Sequence, residues 1–330
     1  MKKLIFSILL LASTLLQASD IYVKPGESIA DAIRQARELR RLNDPSIEGG
    51  ITIHVAAGNY RIYEPLFLRP EDSGTPSSPT IIKGEGEVIV SGGVTVTGWK
   101  RQGKLMVADV PDFCGRPLDF RQFYVNGKKA VRARDVADFE DMYRIIRVDK
   151  QKRVLWVPAA AVRKIQKAPY AEMVLHEMWC VANLRIKDIM FAGDSAAVSF
   201  HDPESRIQFE HPWPCPMVTT DGHNSAFYLT NARELLDVPG EWYHDIRAGK
   251  LYYYPRQGEL IEEAVVPAVE TLLRVEGTLD RPVRNIRIEG LTFSYSTWMR
   301  PSLKGHVPLQ AGMYLTDAYK LRPQIVRSKN

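Results

Sequence analysis

Cysteine is scarce in this sequence. Cys114, Cys180 and Cys215 are the three in 330 residues, they lie far apart, and none stands in the CxxC spacing that zinc sites and dithiol redox centres use. Two readings of them stand: one pair bridges in an oxidising compartment, or all three are small buried apolar side chains. Charge of one sign is lacking too. The formal charge is +5, with lysines and arginines dispersed among nearly as many acids. A chain without a basic block has little means of neutralising a phosphate backbone, so nucleic acid is not an expected partner, whereas an acidic glycan suits the balance. GxSxG, HExxH, the P-loop and GxGxxG are all absent, which argues against serine hydrolases, zinc peptidases and nucleotide enzymes. No dense run of aspartates offers a calcium site, and neither a cofactor nor a metal is expected. Long apolar runs are missing after the first residues, and no membrane span is expected, since one takes about 20 such residues.

The single apolar run is the opening one. MKKLIFSILLLASTLLQASD has two lysines, an apolar stretch from Leu4 to Leu16, and Leu16-Gln17-Ala18 as a small-residue cleavage site, the three parts of a Sec signal peptide. Met1 to Ala18 is therefore expected to leave, making the protein secreted or periplasmic. Lys2 and Lys3 leave with it, taking the formal charge from +5 to +3. No cysteine follows the stretch closely, so no lipid anchor is expected at the new terminus.

Periodicity of the helical kind occurs in one place. Ile29, Ala32, Ile33, Ala36 and Leu39 form an apolar stripe in SIADAIRQARELRR. Ser28 is placed to cap the start, and the arginines gather at the end where the helix dipole favours cations. From Ile51 the rhythm changes to ITIHV, LFL at Leu66 to Leu68, TIIKG, EVIVSGG and VTVTGW. These segments are too short for helices and recur as strands with tight corners. The style returns in VETLLRVEG and NIRIEGLTFSYS, where Ile286, Ile288, Leu291 and Phe293 are expected to face inward, with Gly290 at a shift of the alternation. Between the two blocks strands lengthen, tryptophan and tyrosine concentrate, and Val125-Asn126-Gly127-Lys128 signals a hairpin. The expected organisation is a leader over 1–18, a cap and first coils over 19–99, an inserted antiparallel β domain over 100–263, and resumed coils over 264–330.

IYVKPGESIADAIRQA with HVAAGNYRI, SGGVTVTGW, RQFYVNGKKAVRAR, GEWYHDIRAGKLYYYP and NIRIEGLTFSYS together resemble secreted bacterial right-handed parallel β-helix proteins of the carbohydrate-active kind. Within that group the chain is most similar to glycoside hydrolase family 141, whose members act on fucosylated pectin side chains or xylan. The resemblance implies an all-β fold: a pectate-lyase-like right-handed parallel β-helix with an N-terminal capping helix and an inserted antiparallel domain. It implies a polysaccharide or oligosaccharide substrate and cleavage by two carboxylates. Two alternatives share the architecture: a polysaccharide lyase, and a noncatalytic glycan-binding protein. In the resembling proteins the acidic pair lies on later coils. Here the sequence ends at Asn330 soon after the coils resume, so the main catalytic coils are expected to be missing, with Glu289 and Asp317 the acids nearest the surviving face and nothing marking them as a pair.

Among individual residues, GEWYHDIRAGKLYYYP reads as a hairpin turning at Gly249, with Tyr252 and Tyr254 on one face and Leu251 and Tyr253 on the other. Its role is structural, and Glu241 and Asp245 remain acid candidates within it. EMVLHEMWCVANLRI reads as one strand. Alternation puts Val174, His176, Met178, Cys180, Ala182, Leu184 and Ile186 on an apolar face, and Glu177, Trp179, Asn183 and Arg185 on the other. An indole beside a carboxylate, an amide and a guanidinium can stack on a sugar ring and bond its hydroxyls. The competing reading is a packed Trp179 beside a solvated Glu177–Arg185 ion pair. Glu177 is a third acid candidate, and His176 reads as a core histidine.

Overall fold

The structure, a computed structural model, describes residues 18–210, 215–298 and 307. The leader, apart from Ala18, and Asp317 lie outside the described residues. The chain is mostly β and divides into two compact units, one from Met1–Gly93 with Thr271–Ser296, the other from Val94–Glu270 with Thr297–Asn330.

The first unit is built on a sheet whose strands all pair in parallel: Ser19–Val23, Ile51–Arg61, Thr80–Ser91 and Ile286–Ser294, in that order. Like residues stack in register across it, since Ile21 pairs with Ile53, Ile53 with Ile82, and Ile82 with Ile288. A rung of branched side chains one strand spacing apart buries apolar surface continuously, and that fixes the register. A second parallel pair joins Leu66–Leu68 to Leu273–Val275. TIIKG and EVIVS, expected as separate strands, are one strand with a shift of register inside it, and the neighbouring strand shifts at Gly290. Ile286, Ile288 and Leu291 are half-buried as expected, but Phe293 is 38% exposed. Among the described residues its strand has a sheet neighbour on one side only.

The helix runs Ile29–Arg41, with Ser28 Oγ accepting the Asp31 N–H at 3.2 Å. It buries Ile29, Ala32, Ile33 and Ala36 against the Ser19–Val23, Ile51–Arg61 and Leu66–Leu68 strands. Its arginines do more than answer the helix dipole. Arg37 makes a bidentate pair with the buried Asp72 at 2.8 and 2.9 Å, and Arg40 donates to Thr80 Oγ1 at 2.8 Å and to the Ser78 carbonyl at 2.9 Å.

The pairs of the second unit are mainly antiparallel, with Val131–Arg132 lying parallel to Glu241–Asp245. Seven strands form one sheet, in the order Tyr143–Arg144, Ala226–Thr230, Glu172–His176, Val181–Ala192, Ser195–Phe200, Val154–Pro158, Arg147–Asp149. Five form another, in which Glu241–Asp245 and Lys250–Tyr253 are the hairpin expected around Gly249. Each face of this hairpin enters a different core. Tyr243 and Tyr252 join the larger one around Leu155, Met173, Leu184 and Phe227, while Trp242, Leu251 and Tyr253 join Phe120 and Phe123 in the other. A strand pair buried on both faces has no polar side, which is why this segment is so aromatic. The Asn126-Gly127 turn also forms where expected, pairing Val125 with Lys128.

One expectation is overturned. Glu172 to Ile186 is not a single strand: Glu172–His176 and Val181–Ala192 are antiparallel neighbours, with Met173 opposite Leu184 and Val174 opposite Asn183. The chain reverses through Glu177, Met178, Trp179 and Cys180, closed by the Glu177 N–H bonding the Cys180 carbonyl at 2.9 Å. Glu177, Trp179, Asn183 and Arg185 therefore do not form one strand face. No glycine, proline or asparagine marks the reversal, and alternation carried through it unbroken. The three cysteines are all free. Among the described residues no helix is long and apolar enough to cross a membrane.

Candidate functional site

Two neighbouring cavities in the second unit share Pro169, Tyr170 and Arg247. The first, of about 300 Å³, is lined by Asp119, Arg121, Arg132, Glu172, Arg185 and Asn231 among others. The second, of about 430 Å³, adds Arg233, Tyr243 and Asp245. Arg121 comes from the segment before the Asn126-Gly127 hairpin, Arg132 from its short strand, and Glu172 from the start of a central strand of the seven-stranded sheet. Residues 51 and 40 positions from Glu172 thus converge on its carboxylate.

Glu172 is 4% exposed and accepts from Arg121 Nη2 at 2.6 Å and Nη1 at 3.1 Å, and from Arg132 Nη1 at 3.4 Å. Burial pushes its pKa up, but Arg132 and Arg121 together outweigh that and hold it below the usual carboxylate range. Burial lowers Arg132 to about 10, opposed chiefly by Glu172, so it remains a cation at neutral pH. Its guanidinium lies 5.7 Å from the Trp242 ring centroid, and its Nε is buried with no acceptor. Arg185 is held by the fully buried Glu204 through two bonds of 2.6 and 2.9 Å, and by the Asp202 carbonyl at 3.0 Å. Asn231 donates to the Tyr170 carbonyl at 2.8 Å while its own Oδ1 is buried without a donor. The exposed Arg247 sits 5.4 Å above the Tyr170 ring.

The candidates from the sequence fall in different places. Arg185 lines the first cavity and Asp245 the second. Asp245 also accepts the Ala248 N–H at 3.0 Å. Glu177, Trp179 and Asn183 line neither. Glu177 is 9% exposed, accepts Cys180 Sγ–H at 3.0 Å and is bonded by Gln208 Nε2. Burial raises its pKa and these two contacts lower it only in part. Trp179 is 39% exposed on the turn beside it. Glu241 is buried and its carboxylate accepts the backbone N–H groups of Arg134, Asp237 and Val238, which is a turn-closing role. Burial raises it too.

A glycosidase acid needs a raised pKa and access to the leaving oxygen. Glu172 has access to a cavity but is held ionised, while Glu177 and Glu241 are raised but bound into the fold. What the cavity offers is a set of fixed guanidinium groups, which is binding chemistry. Sequence reasoning passed over Glu172, Arg121, Arg132, Tyr170 and Arg247. Arg121 and Arg132 do stand in RQFYVNGKKAVRAR, but no spacing announces their meeting with Glu172.

Residues 103–256 match the sequence model of the GH141 insertion domain. A solved structure described as a glycoside hydrolase is 60% identical, with a TM-score of 0.88 over 93% of this chain and 56% of its own. This chain thus spans a little over half the length of that protein. A search of curated proteins finds no match.

Proposed function

We propose that the protein works as a glycoside hydrolase on pectic side chains or xylan, using one carboxylate as acid and another as nucleophile or base, a pair that does not draw its acid from Glu172, Glu177 or Glu241. The observation that carries this is the 60% identity to a solved glycoside hydrolase over 93% of the chain; the match of residues 103–256 to the GH141 insertion domain supports it. The parallel sheet of the first unit, with strands stacked in register and a helix buried against them, supports its being the start of a right-handed parallel β-helix under a capping helix. In that reading 1–18 is a leader that sends the protein out of the cytoplasm, 19–99 the cap and first coils, 100–263 the insertion, and 264–330 resumed coils.

The test is incubation with fucosylated pectin fragments and with xylan. Release of reducing ends without ultraviolet absorbance is expected of a hydrolase. An unsaturated product absorbing in the ultraviolet would overturn the reading in favour of a lyase, and binding without turnover would leave a glycan-binding protein. Trp179→Ala, removing a half-exposed indole, is expected to weaken oligosaccharide binding by about 0.5–1.5 kcal/mol through the loss of a stacking ring. Equal titration curves for variant and parent would make Trp179 a packing residue.

A further inference from the structure

We infer that the arginine-lined cavity of the second unit is a carboxylate-binding subsite that takes a uronic acid residue of a glycan. Four guanidinium groups line it, those of Arg121, Arg132, Arg185 and Arg247. The carboxylates set against them are Asp119 and Glu172 in the lining and Glu204 behind Arg185. One positive charge is left over. That residue of charge suits a monoanion such as a carboxylate better than a dianionic phosphate, and a cavity of low dielectric strengthens its pull.

Two orphaned polar atoms make the inference more specific. Arg132 Nε is a buried donor without an acceptor and Asn231 Oδ1 a buried acceptor without a donor, and both residues line this cavity. Leaving such groups unpaired is costly, so native proteins generally supply partners from water or ligand. A carboxylate supplies acceptors, a sugar hydroxyl supplies a donor, and a uronic acid carries both on one ring. Tyr170 lines the same cavity, and its ring, 5.4 Å beneath the Arg247 guanidinium, holds that cation at the cavity wall. A cavity of about 300 Å³ is at the small end of ligand sites, which suits a single sugar residue. A neutral hexose would answer the hydroxyl-seeking group and leave the charge unmatched.

The choice of a sugar as carrier rests on the carbohydrate reading above, but binding does not depend on turnover. The full chain is titrated calorimetrically with galacturonic and glucuronic acids, beside galactose, the methyl ester of galacturonic acid, and galactose 6-sulfate. The free acids are expected to bind at least about tenfold more tightly than galactose or the ester, and less tightly as salt is raised. Arg247→Glu, an exposed position whose change spares the buried Glu172 pair, is expected to abolish that preference with thermal unfolding unchanged. Lys128→Glu, an equal change of net charge on the Asn126-Gly127 hairpin, is expected to keep it. Equal affinity for acid and neutral sugar, tighter binding of the sulfate ester, or an Arg247→Glu variant that binds like the parent would each overturn the inference. Failure to hydrolyse any polysaccharide leaves it standing, and hydrolysis without uronic acid binding sinks it alone.

Discussion

Glu172 and Glu177 are buried carboxyls on one hairpin whose surroundings drive them in opposite directions. Glu172 has two guanidinium groups against it and is held below its ordinary pKa. Its ionised form therefore stabilises the fold at neutral pH, and that contribution is lost as pH falls through its folded pKa. Glu172→Gln is expected to cost about 3–5 kcal/mol at pH 7 in denaturant titrations, because Arg132 and Arg121 would lose the carboxylate they bond and keep only Asp119 nearby. Glu177 has a thiol and an amide instead, and burial raises it. A raised carboxyl contributes fully below its unfolded pKa and loses that as pH rises, so ionisation here opposes folding. Glu177→Gln is expected to stabilise the protein at pH 8 relative to the parent, with the difference shrinking towards pH 4. A variant less stable at every pH would mean that the contacts to Cys180 and Gln208 outweigh the charge. None of these roles was legible in the sequence: His176, expected as a core histidine, is half-buried beside Phe139 and Tyr228 with its Nε2 buried and without a hydrogen-bond partner, and burial lowers its pKa. The Glu172 cluster was not legible, because its members are brought together by sheet order and not by spacing.

At the scale of elements, the segments that read correctly carry their own instructions. Ser28, the apolar stripe and the terminal arginines specify one helix, and Ile33 is 3% exposed against the strands beneath it. Ile33→Asp is expected to destabilise the protein by several kcal/mol, about the penalty for burying an uncompensated polar group, and an unchanged melting temperature would remove the helix from its packing role. Gly249 and Asn126-Gly127 fix two hairpins through turn chemistry alone. The reversal at Glu177 to Cys180 lacks such chemistry and is imposed by the pairing of the strands on either side, so alternation could not reveal it. Gly84 and Gly290 show a third case. They face each other on adjacent parallel strands at the shift of register, and a Cβ on Gly290 would lie 2.9 Å from the Gly84 carbonyl oxygen, with φ at +66°. Gly290→Ala is therefore expected to cost at least about 1–2 kcal/mol from the left-handed backbone, with the close contact added to it. A loss of stability no larger than that of an ordinary surface alanine would show that the strands part to admit the methyl group.

At the scale of the molecule, the second unit consists of one long continuous stretch, Val94–Glu270, to which Thr297–Asn330 is added. Among the described residues its two cores draw on residues 94–268 and on Val307. Its entrance and exit are adjacent, since the Val96 N–H bonds the Ala264 carbonyl at 2.8 Å. A segment whose ends meet and whose apolar faces are buried on one another gains little from the chain on either side. The segment Val94–Glu270 is accordingly expected to fold alone, with a cooperative thermal transition and the near-ultraviolet circular dichroism of packed tyrosines and tryptophans. It should be less stable than the same unit in the full chain, because Val307 is fully buried in its larger core and burying a valine contributes about 1.5–3 kcal/mol. Val307→Ala in the full chain should reproduce part of that deficit. The excised segment should also keep the uronic acid preference, since every residue of the arginine cavity lies between Asp119 and Arg247. A segment that unfolds without cooperativity, or that folds and binds no uronic acid while the full chain does, would show that the cavity depends on residues outside Val94–Glu270.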